Sequence, residues 1–174
     1  VAREHLTPPA LRLRFTQPPT WSPEMADESR RPFPGRESLV SAAVLVPLVM
    51  RPDGVNVLLT QRTAHLHDHA GQIAFPGGRA QSSDTSLIDT ALRETEEETG
   101  LTRNHVDVLG SLPVYLTPTG FKVTPVIGPA QPDLTLAHDP LEVAEVFEVP
   151  LTFLLDPANP RLHTAPPVDR IPRR

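Results

Sequence analysis

Residues 93–101 read RETEEETGL, so a cluster of carboxylates stands immediately before Gly100. Glycine is the usual residue at a left-handed helix C-cap, and the stretch therefore predicts a helix that ends at Gly100. Carboxylates are unfavourable at that end, because the helix macrodipole is negative there and glutamates four residues apart repel each other. The pattern indicates that something else offsets this repulsion.

A divalent cation would offset it. At about 100° per residue, Glu94, Glu97 and Glu98 fall within one arc of the helix, where they can share an ion. Glu98 also borders the apolar stripe of the same helix, so we expect it to lie at the edge of the buried face. On these residues alone, a solvated acidic helix end with Arg93 as its counter-ion explains the pattern equally well.

The segment just upstream favours a binding site. The apolar pair at residues 73–74 is followed by FPGG at residues 75–78, which predicts a short strand that runs into a glycine turn. A helix is then expected to open near Ser83 and Asp84. Glycines at such a turn permit unusual backbone angles and let N–H groups approach a ligand closely.

Residues 78–101 resemble the Nudix box, G-x5-E-x7-R-E-U-x-E-E-x-G-U, in which U is aliphatic. The second half matches fully, except that Thr95 occupies an aliphatic position. In the first half, Asp84 replaces the glutamate, and eight residues rather than seven separate it from Arg93. The resemblance implies an enzyme, a diphosphatase that cleaves a nucleoside diphosphate linked to another group and uses Mg²⁺ or Mn²⁺.

A second motif points to a subfamily. Residues 58–78, LLTQRTAHLHDHAGQIAFPGG, resemble the segment that marks coenzyme A pyrophosphatases, L-L-T-x-R-[SA]-x3-R-x3-G-x3-F-P-G-G. The sequence departs from it at Thr63, which replaces Ser or Ala, and at His67, which replaces Arg. The resemblance implies cleavage of coenzyme A to 3′,5′-ADP and 4′-phosphopantetheine. Because His67 is a weaker and pH-dependent phosphate contact than Arg, another substrate such as ADP-ribose, NADH or a nucleoside triphosphate remains open.

The resemblance also implies roles for individual residues. Glu94 and Glu98 are expected as the main metal ligands, with Glu97 as a ligand or the general base. Arg93 is expected to orient the glutamates through ion pairs. Substrate contacts are expected from six residues: Arg62, His67, Gly77, Gly78, Arg79 and Lys122.

Two further readings stay open. Glu142 or Glu145 could act as the base from a late loop, although surface charge explains each of them as well. A Nudix-like module that binds a nucleotide without cleaving it is a different class of protein. The retained glutamate cluster argues against such a module.

Composition agrees with one soluble enzyme domain. The chain has 174 residues, 39% of them hydrophobic, and no long apolar run that predicts a signal peptide or membrane span. A net charge of −5 argues against binding nucleic acid or membranes by bulk electrostatics. Cysteine is absent, which permits the cytoplasmic location that we expect.

The order of elements predicts an α/β (α+β) fold in which a mixed sheet is sandwiched between helices. Residues 1–37 are expected to form a Pro-rich arm with a short helix near residues 10–15. Residues 38–174 are expected to form a single Nudix domain. Because related chains continue with another strand and helix, we expect a truncated C-terminus. Strands are predicted at residues 42–49, 55–60, 106–109, 112–116 and 122–127, and a short helix at 151–155.

Overall fold

The computed structural model describes residues 3–17, 39–64, 70–117, 119–131 and 136–159. Within them, an eight-stranded mixed sheet carries helices against both faces, which confirms the predicted α+β architecture. The predicted contact His67 and most of the Pro-rich arm lie outside the described residues. No helix in the described ranges is long and apolar enough to cross a membrane.

The strands are β1 (Val40–Arg51), β2 (Gly54–Arg62), β3 (Ile73–Ala74), β4 (Gly77–Arg79), β5 (Gly110–Ser111), β6 (Tyr115–Leu116), β7 (Phe121–Ala130) and β8 (Val143–Pro150). The helices are α1 (Pro8–Thr16), α2 (Leu87–Thr99) and α3 (Leu151–Leu154). The path across the sheet runs β3-β2-β1-β7-β5, and β1 is parallel to β7. In addition, β4 pairs with β1, β6 with β7 and β8 with β2.

Alternation along β1 divides its side chains between two cores. Ala43 and Leu45 face α2 and pack against Ala91. Leu48 faces the other side and packs in a second core with Leu6 and the side chains of β2 and β7. We call these two sides the α2 face and the opposite face of the sheet.

The segment at residues 3–17, which we call the lead-in, packs against the sheet. Residues 3–17 lie within the predicted arm, and the short helix expected there is confirmed as α1. Leu6 is only 8% exposed, and Leu11 and Phe15 pack partly buried against the second core. This segment therefore covers part of the opposite face.

Leu6→Ala is expected to lower the free energy of unfolding by about 2 kcal/mol, because it removes a buried side chain that links the lead-in to the sheet. Urea denaturation measures the change. Leu13→Ala is the matched control, since Leu13 is 60% exposed on the same segment and should change stability by less than about 0.5 kcal/mol. Equal effects of the two substitutions would show that the lead-in does not contribute to the core.

Three predicted boundaries were wrong. The acidic helix begins at Leu87 rather than near Ser83, because Ser86 is the N-cap and its Oγ accepts from the Asp89 N–H at 3.1 Å. The predicted strand at 106–109 is reduced to an isolated bridge between Val106 and Ala130. The strand predicted at 112–116 is confined to its last two residues.

Prolines in β7 explain the irregular pairing of the 106–112 segment. The Asp107 and Leu112 N–H groups donate to the carbonyls of Pro129 and Pro125 at 2.9 and 2.8 Å. Proline has no N–H to return the bond, so a regular antiparallel ladder cannot form there.

Candidate active site

The two glycines of β4 allow neighbouring atoms of β1 and of the acidic helix to pack closely against this strand. A Cβ on Gly77 would lie 2.4 Å from the Ala43 carbonyl oxygen, and its φ of +154° also favours glycine. A Cβ on Gly78 would lie 2.4 Å from Glu94 Oε2. The Glu94 carboxylate therefore rests directly against the Gly78 backbone.

Glu98 contacts the other glycine of β4, Gly77. Glu98 is only 7% exposed, which agrees with its predicted position at the edge of the buried face. The Gly77 N–H donates to Glu98 Oε2 at 3.1 Å. The glycine turn and the acidic helix therefore form one unit, joined by a hydrogen bond between residues 21 positions apart.

Gly100 ends α2 as the sequence predicted. Its φ is +74°, and its N–H donates to the Glu96 carbonyl at 2.9 Å. A Cβ there would also lie 2.7 Å from the Ala137 nitrogen, whose N–H donates to the Thr99 carbonyl at 3.0 Å. The left-handed backbone and the close approach of Ala137 both favour glycine at this position.

Arg93 ties the acidic residues together. Its Nε and Nη2 donate to the two carboxylate oxygens of Asp84 at 2.8 and 3.0 Å. Its Nη1 donates to Glu94 at 2.9 Å and to Glu97 at 3.1 Å. A further bond from Nη2 reaches the Arg79 carbonyl at 3.2 Å. Arg93 therefore contacts the carboxylates of Asp84, Glu94 and Glu97 at the same time.

Asp84 serves as the main partner of Arg93 and is not the helix N-cap. Hydrogen bonds from Arg93 and from the Gln81 N–H hold the pKa of the Asp84 carboxyl well below its usual range. The same Asp84 contact is the largest cause that raises the pKa of Arg93. The ion pair therefore stays charged under all ordinary conditions.

The pKa values of Glu94 and Glu98 are raised, in contrast to that of Asp84. Burial raises the pKa of Glu98 to about 7, and the neighbouring Glu94 and Glu142 charges add to the rise, while the Gly77 N–H and Arg62 oppose it. Burial also raises the pKa of Glu94, against the effect of Arg93. Without a cation, the site therefore disfavours two ionised carboxylates.

Glu98→Gln is expected to stabilise the metal-free protein at pH 8 by about 2 kcal/mol. A carboxyl whose pKa is raised by folding favours the folded state below its unfolded pKa, and this contribution is lost as pH rises through about 7. The advantage of the variant should therefore vanish near pH 4. Thermal melting in EDTA at both pH values measures it, and a lower melting temperature of the variant at pH 8 would assign Glu98 a purely structural role.

The two late-loop glutamates, Glu142 and Glu145, differ in their position relative to the carboxylates of α2. Glu142 follows Leu141, whose carbonyl accepts from Thr63 Oγ1, and its own carbonyl accepts from the Thr63 N–H at 3.0 Å. This places its charge close enough to act on Glu98. Glu145 instead pairs in register with Gln61, two positions from Phe147 of the second core, and so belongs to the opposite face.

The predicted substrate contacts lie on different faces of the sheet. Arg62 follows Leu58 and Thr60 on the α2 face, and its charge acts on Glu98. Within the described part of the chain, its Nε is buried without a hydrogen-bond partner. Arg79 does not join the carboxylates, because its guanidinium carbon lies 5.1 Å from the centroid of the Phe121 ring on the opposite face. Lys122 is exposed on β7.

Sequence comparison identifies the family. The NUDIX domain model matches residues 40–162. The chain belongs to the Nudix family. A relative from Escherichia coli O7:K1 (strain IAI39 / ExPEC), named uncharacterized Nudix hydrolase NudL, is 50% identical over 123 residues, which are 70% of this chain and 64% of that protein. The chain thus spans about 64% of the length of the curated relatives that it matches first.

Solved Nudix structures share the fold. The Nudix hydrolase RenU from M. smegmatis matches with a TM-score of 0.57 and 26% identity, over 68% of this chain and 75% of that one. The NUDIX domain of NrtR from Shewanella oneidensis, solved with ADP ribose, matches with a TM-score of 0.53 and 21% identity, over 77% of this chain and 87% of that one. The latter likeness concerns the fold alone.

Nudix hydrolases generally use divalent metal ions, but the described residues contain no group of three or more acidic, His or Cys side chains arranged to hold one. Glu97 is 58% exposed at its side chain and pairs with Arg93. The pair Glu94 and Glu98 nevertheless suits Mg²⁺ or Mn²⁺, since Mg²⁺ is commonly held by one or two carboxylates together with waters and substrate phosphates. The Nudix site therefore fits an ion that binds with its substrate.

Proposed function

We propose that this Nudix domain hydrolyses the diphosphate of coenzyme A to 3′,5′-ADP and 4′-phosphopantetheine. One observation carries the proposal: the Gly77 N–H bond to buried Glu98 joins the two sequence motifs in one site. The glycine turn that ends the residue 58–78 segment, which resembles that of coenzyme A pyrophosphatases, thereby lies against the helix that carries the Nudix box.

Glu94 and Glu98 would hold the Mg²⁺ or Mn²⁺ ion. When bound, the ion supplies charge neutralisation for the diphosphate and acidifies a water. In the reaction, water adds to one phosphorus, and the anhydride P–O bond breaks to release two phosphate monoesters. Arg93 keeps Glu94 in place through its Nη1 bond at 2.9 Å. The buried, unpartnered Nε of Arg62 is a donor available to a substrate phosphate oxygen.

The candidate for the base outside α2 is Glu142, whose charge acts on Glu98. We expect Glu142→Gln to reduce kcat about 10²-fold, because the Glu142 charge acts on Glu98 whereas Glu145 lies on the opposite face. Glu145→Gln is the matched control and should change kcat less than about threefold. Steady-state kinetics with saturating Mg²⁺ measures both variants.

Glu97→Gln completes this series, because Glu97 is the alternative base on α2. A loss confined to Glu97→Gln, with Glu142→Gln unchanged, would move the base to the helix. A loss in Glu145→Gln that equals that of Glu142→Gln would contradict the separation of the two faces.

Another Nudix substrate is the second candidate. The NrtR NUDIX domain was solved with ADP ribose, and His67 replaces the arginine of the coenzyme A segment. The replacement at His67 favours a substrate with a different group beyond the diphosphate, and ADP-ribose is one such substrate to test. A domain that binds a nucleotide without cleaving it would show no metal-dependent turnover.

A substrate panel tests these proposals. Coenzyme A, ADP-ribose, NADH and dGTP are incubated with Mg²⁺ or Mn²⁺, products are resolved by chromatography, and Glu98→Gln serves as the blank. Release of 3′,5′-ADP from coenzyme A that is lost in the variant supports the proposal. Preference for another substrate overturns the coenzyme A assignment and keeps the hydrolase, whereas no turnover on any substrate favours the binding module.

A further inference from the structure

Thr63, the residue after β2, contacts the turn that carries Glu142. Its N–H donates to the Glu142 carbonyl and its Oγ1 donates to the Leu141 carbonyl, both at 3.0 Å. We call residues 139–142 the Glu142 loop. In the described part of the chain, both hydrogen bonds that reach this loop from a distant segment come from Thr63. Thr63 is only 6% exposed, so water does not readily replace its hydroxyl.

An irregularity in the sheet brings Glu142 opposite Thr63. The ladder between β2 and β8 shifts register between Gln61 and Arg62, where β8 carries one extra residue. Arg62 lies opposite Val143 after the shift, and Thr63 continues the ladder through its bond to Glu142. Without the shift, Thr63 would lie opposite Val143 instead. Bulges beside active sites change the direction of side chains in this way.

The loop has an internal structure of its own, which is built on Asp139. Its Oδ1 accepts from the Leu141 N–H at 2.9 Å. Its carbonyl accepts from the Glu142 N–H at 3.2 Å and from the Val143 N–H at 2.9 Å. These bonds set the shape of the turn, whereas the two bonds from Thr63 set its position against the end of β2.

Thr63 also adjoins the groups that we assign to the diphosphate. The preceding residue, Arg62, has a buried Nε without a hydrogen-bond partner among the described residues. The charges of Arg62 and Glu142 both act on Glu98. A general base must lie within hydrogen-bond reach of the water that it deprotonates, and a misplacement of about 1 Å can cost about 10²-fold in rate. The position of the Glu142 loop therefore matters for the reaction.

We propose that Thr63 is a positioning residue for the general base: its N–H and hydroxyl hold the Glu142 loop so that the Glu142 carboxylate reaches the attacking water. The proposal rests on the proposed function, because Thr63 acts through Glu142. Thr63 itself binds neither the substrate nor the metal ion in this assignment. Loss of its hydroxyl should therefore change kcat and leave KM unchanged.

Steady-state kinetics of position 63 variants tests the proposal, with whichever substrate the panel selects. Thr63→Val removes the hydroxyl, keeps the branched shape, and should lower kcat about tenfold at unchanged KM. Thr63→Ser keeps the hydroxyl and should retain the wild-type kcat. Thr124→Val is the matched control, because Thr124 is also buried but its hydroxyl has no hydrogen-bond partner among the described residues. This control should keep the wild-type kcat.

A double-mutant cycle assigns the loss to Glu142. In the Glu142→Gln background, Thr63→Val should cause no further loss of kcat, because both changes remove the same function. Three results would overturn the positioning role while the domain still hydrolyses its substrate. They are additive losses in the cycle, an equal loss in Thr124→Val, and a wild-type kcat in Thr63→Val or in Glu142→Gln.

Amide hydrogen exchange without substrate separates this proposal from the proposed function. The Val143 N–H, which bonds to Asp139, reports on the loop. Its exchange should be faster in Thr63→Val than in Thr63→Ser or Thr124→Val. If the panel finds no turnover, faster exchange would retain the contact between Thr63 and the loop and lose the proposed function. Unchanged exchange in Thr63→Val would overturn the positioning role whatever the panel shows.

Discussion

Glu98→Gln is expected to reduce metal-dependent hydrolysis about 10³-fold, which corresponds to about 4 kcal/mol of transition-state stabilisation. Glu98 is buried, receives the Gly77 N–H, and lies one helical turn from Glu94. Its replacement removes a negative ligand from the ion while the amide oxygen can still accept from Gly77. The loss should therefore appear in kcat and in metal affinity without a change of fold.

One measurement and one control variant separate this outcome from general damage. Electron paramagnetic resonance of bound Mn²⁺ reports metal affinity independently of turnover, and we expect it to weaken in Glu98→Gln. Glu96→Gln is the matched control, because Glu96 lies on the same helix with its side chain toward solvent and a long contact of 3.7 Å to Arg103. Equal losses in the two variants, or unchanged Mn²⁺ binding in Glu98→Gln, would contradict the ligand role.

Gly78→Ala is expected to reduce kcat 10²- to 10³-fold, because displacement of a catalytic group by about 1 Å is enough for a loss of this order. The added Cβ would lie 2.4 Å from Glu94 Oε2, 2.5 Å from its Cδ and 2.8 Å from Oε1. Gly78 does not have a positive φ, so alanine fits its backbone conformation. The substitution therefore acts on the Glu94 carboxylate rather than on the chain path.

Shortening the displaced side chain tests this explanation. Glu94→Asp withdraws the carboxylate from position 78, so the double variant Gly78→Ala, Glu94→Asp should bind Mn²⁺ better than Gly78→Ala alone. Thermal melting checks that each variant is folded. A Gly78→Ala protein with wild-type kcat and Mn²⁺ affinity would show that the close packing of Gly78 and Glu94 is not needed for the reaction.

Local sequence pattern alone was sufficient to predict the elements that carry the site. The β1–β2 hairpin follows from two apolar runs around Pro52-Asp53-Gly54, and its strands extend only slightly beyond the predicted bounds. The acidic helix and its end at Gly100 follow from periodicity and from the left-handed cap. These features depend on neighbours within a few residues, which is the range that sequence spacing reports.

Sequence reasoning named Arg79 as a substrate contact but could not assign its side chain to a face of the sheet. Arg79 lies in the three-residue strand β4, and its registered partner is Ala42 of β1, which is distant in the chain. Alternation shows that two faces exist, but it does not say which face meets α2.

The sequence by itself determined the acidic helix, its glycine cap, the glycine turn and membership of the Nudix family, because each is encoded by residue types at short spacing. Only the tertiary structure decided that Gly77 binds Glu98, that the Glu142 charge acts on Glu98 while Glu145 lies on the opposite face, and that Arg79 projects away from the carboxylates. The physical reason is register. A shift of one residue in a strand pairing exchanges the two faces, and pairings such as parallel β1 and β7 join segments too distant for local pattern to fix.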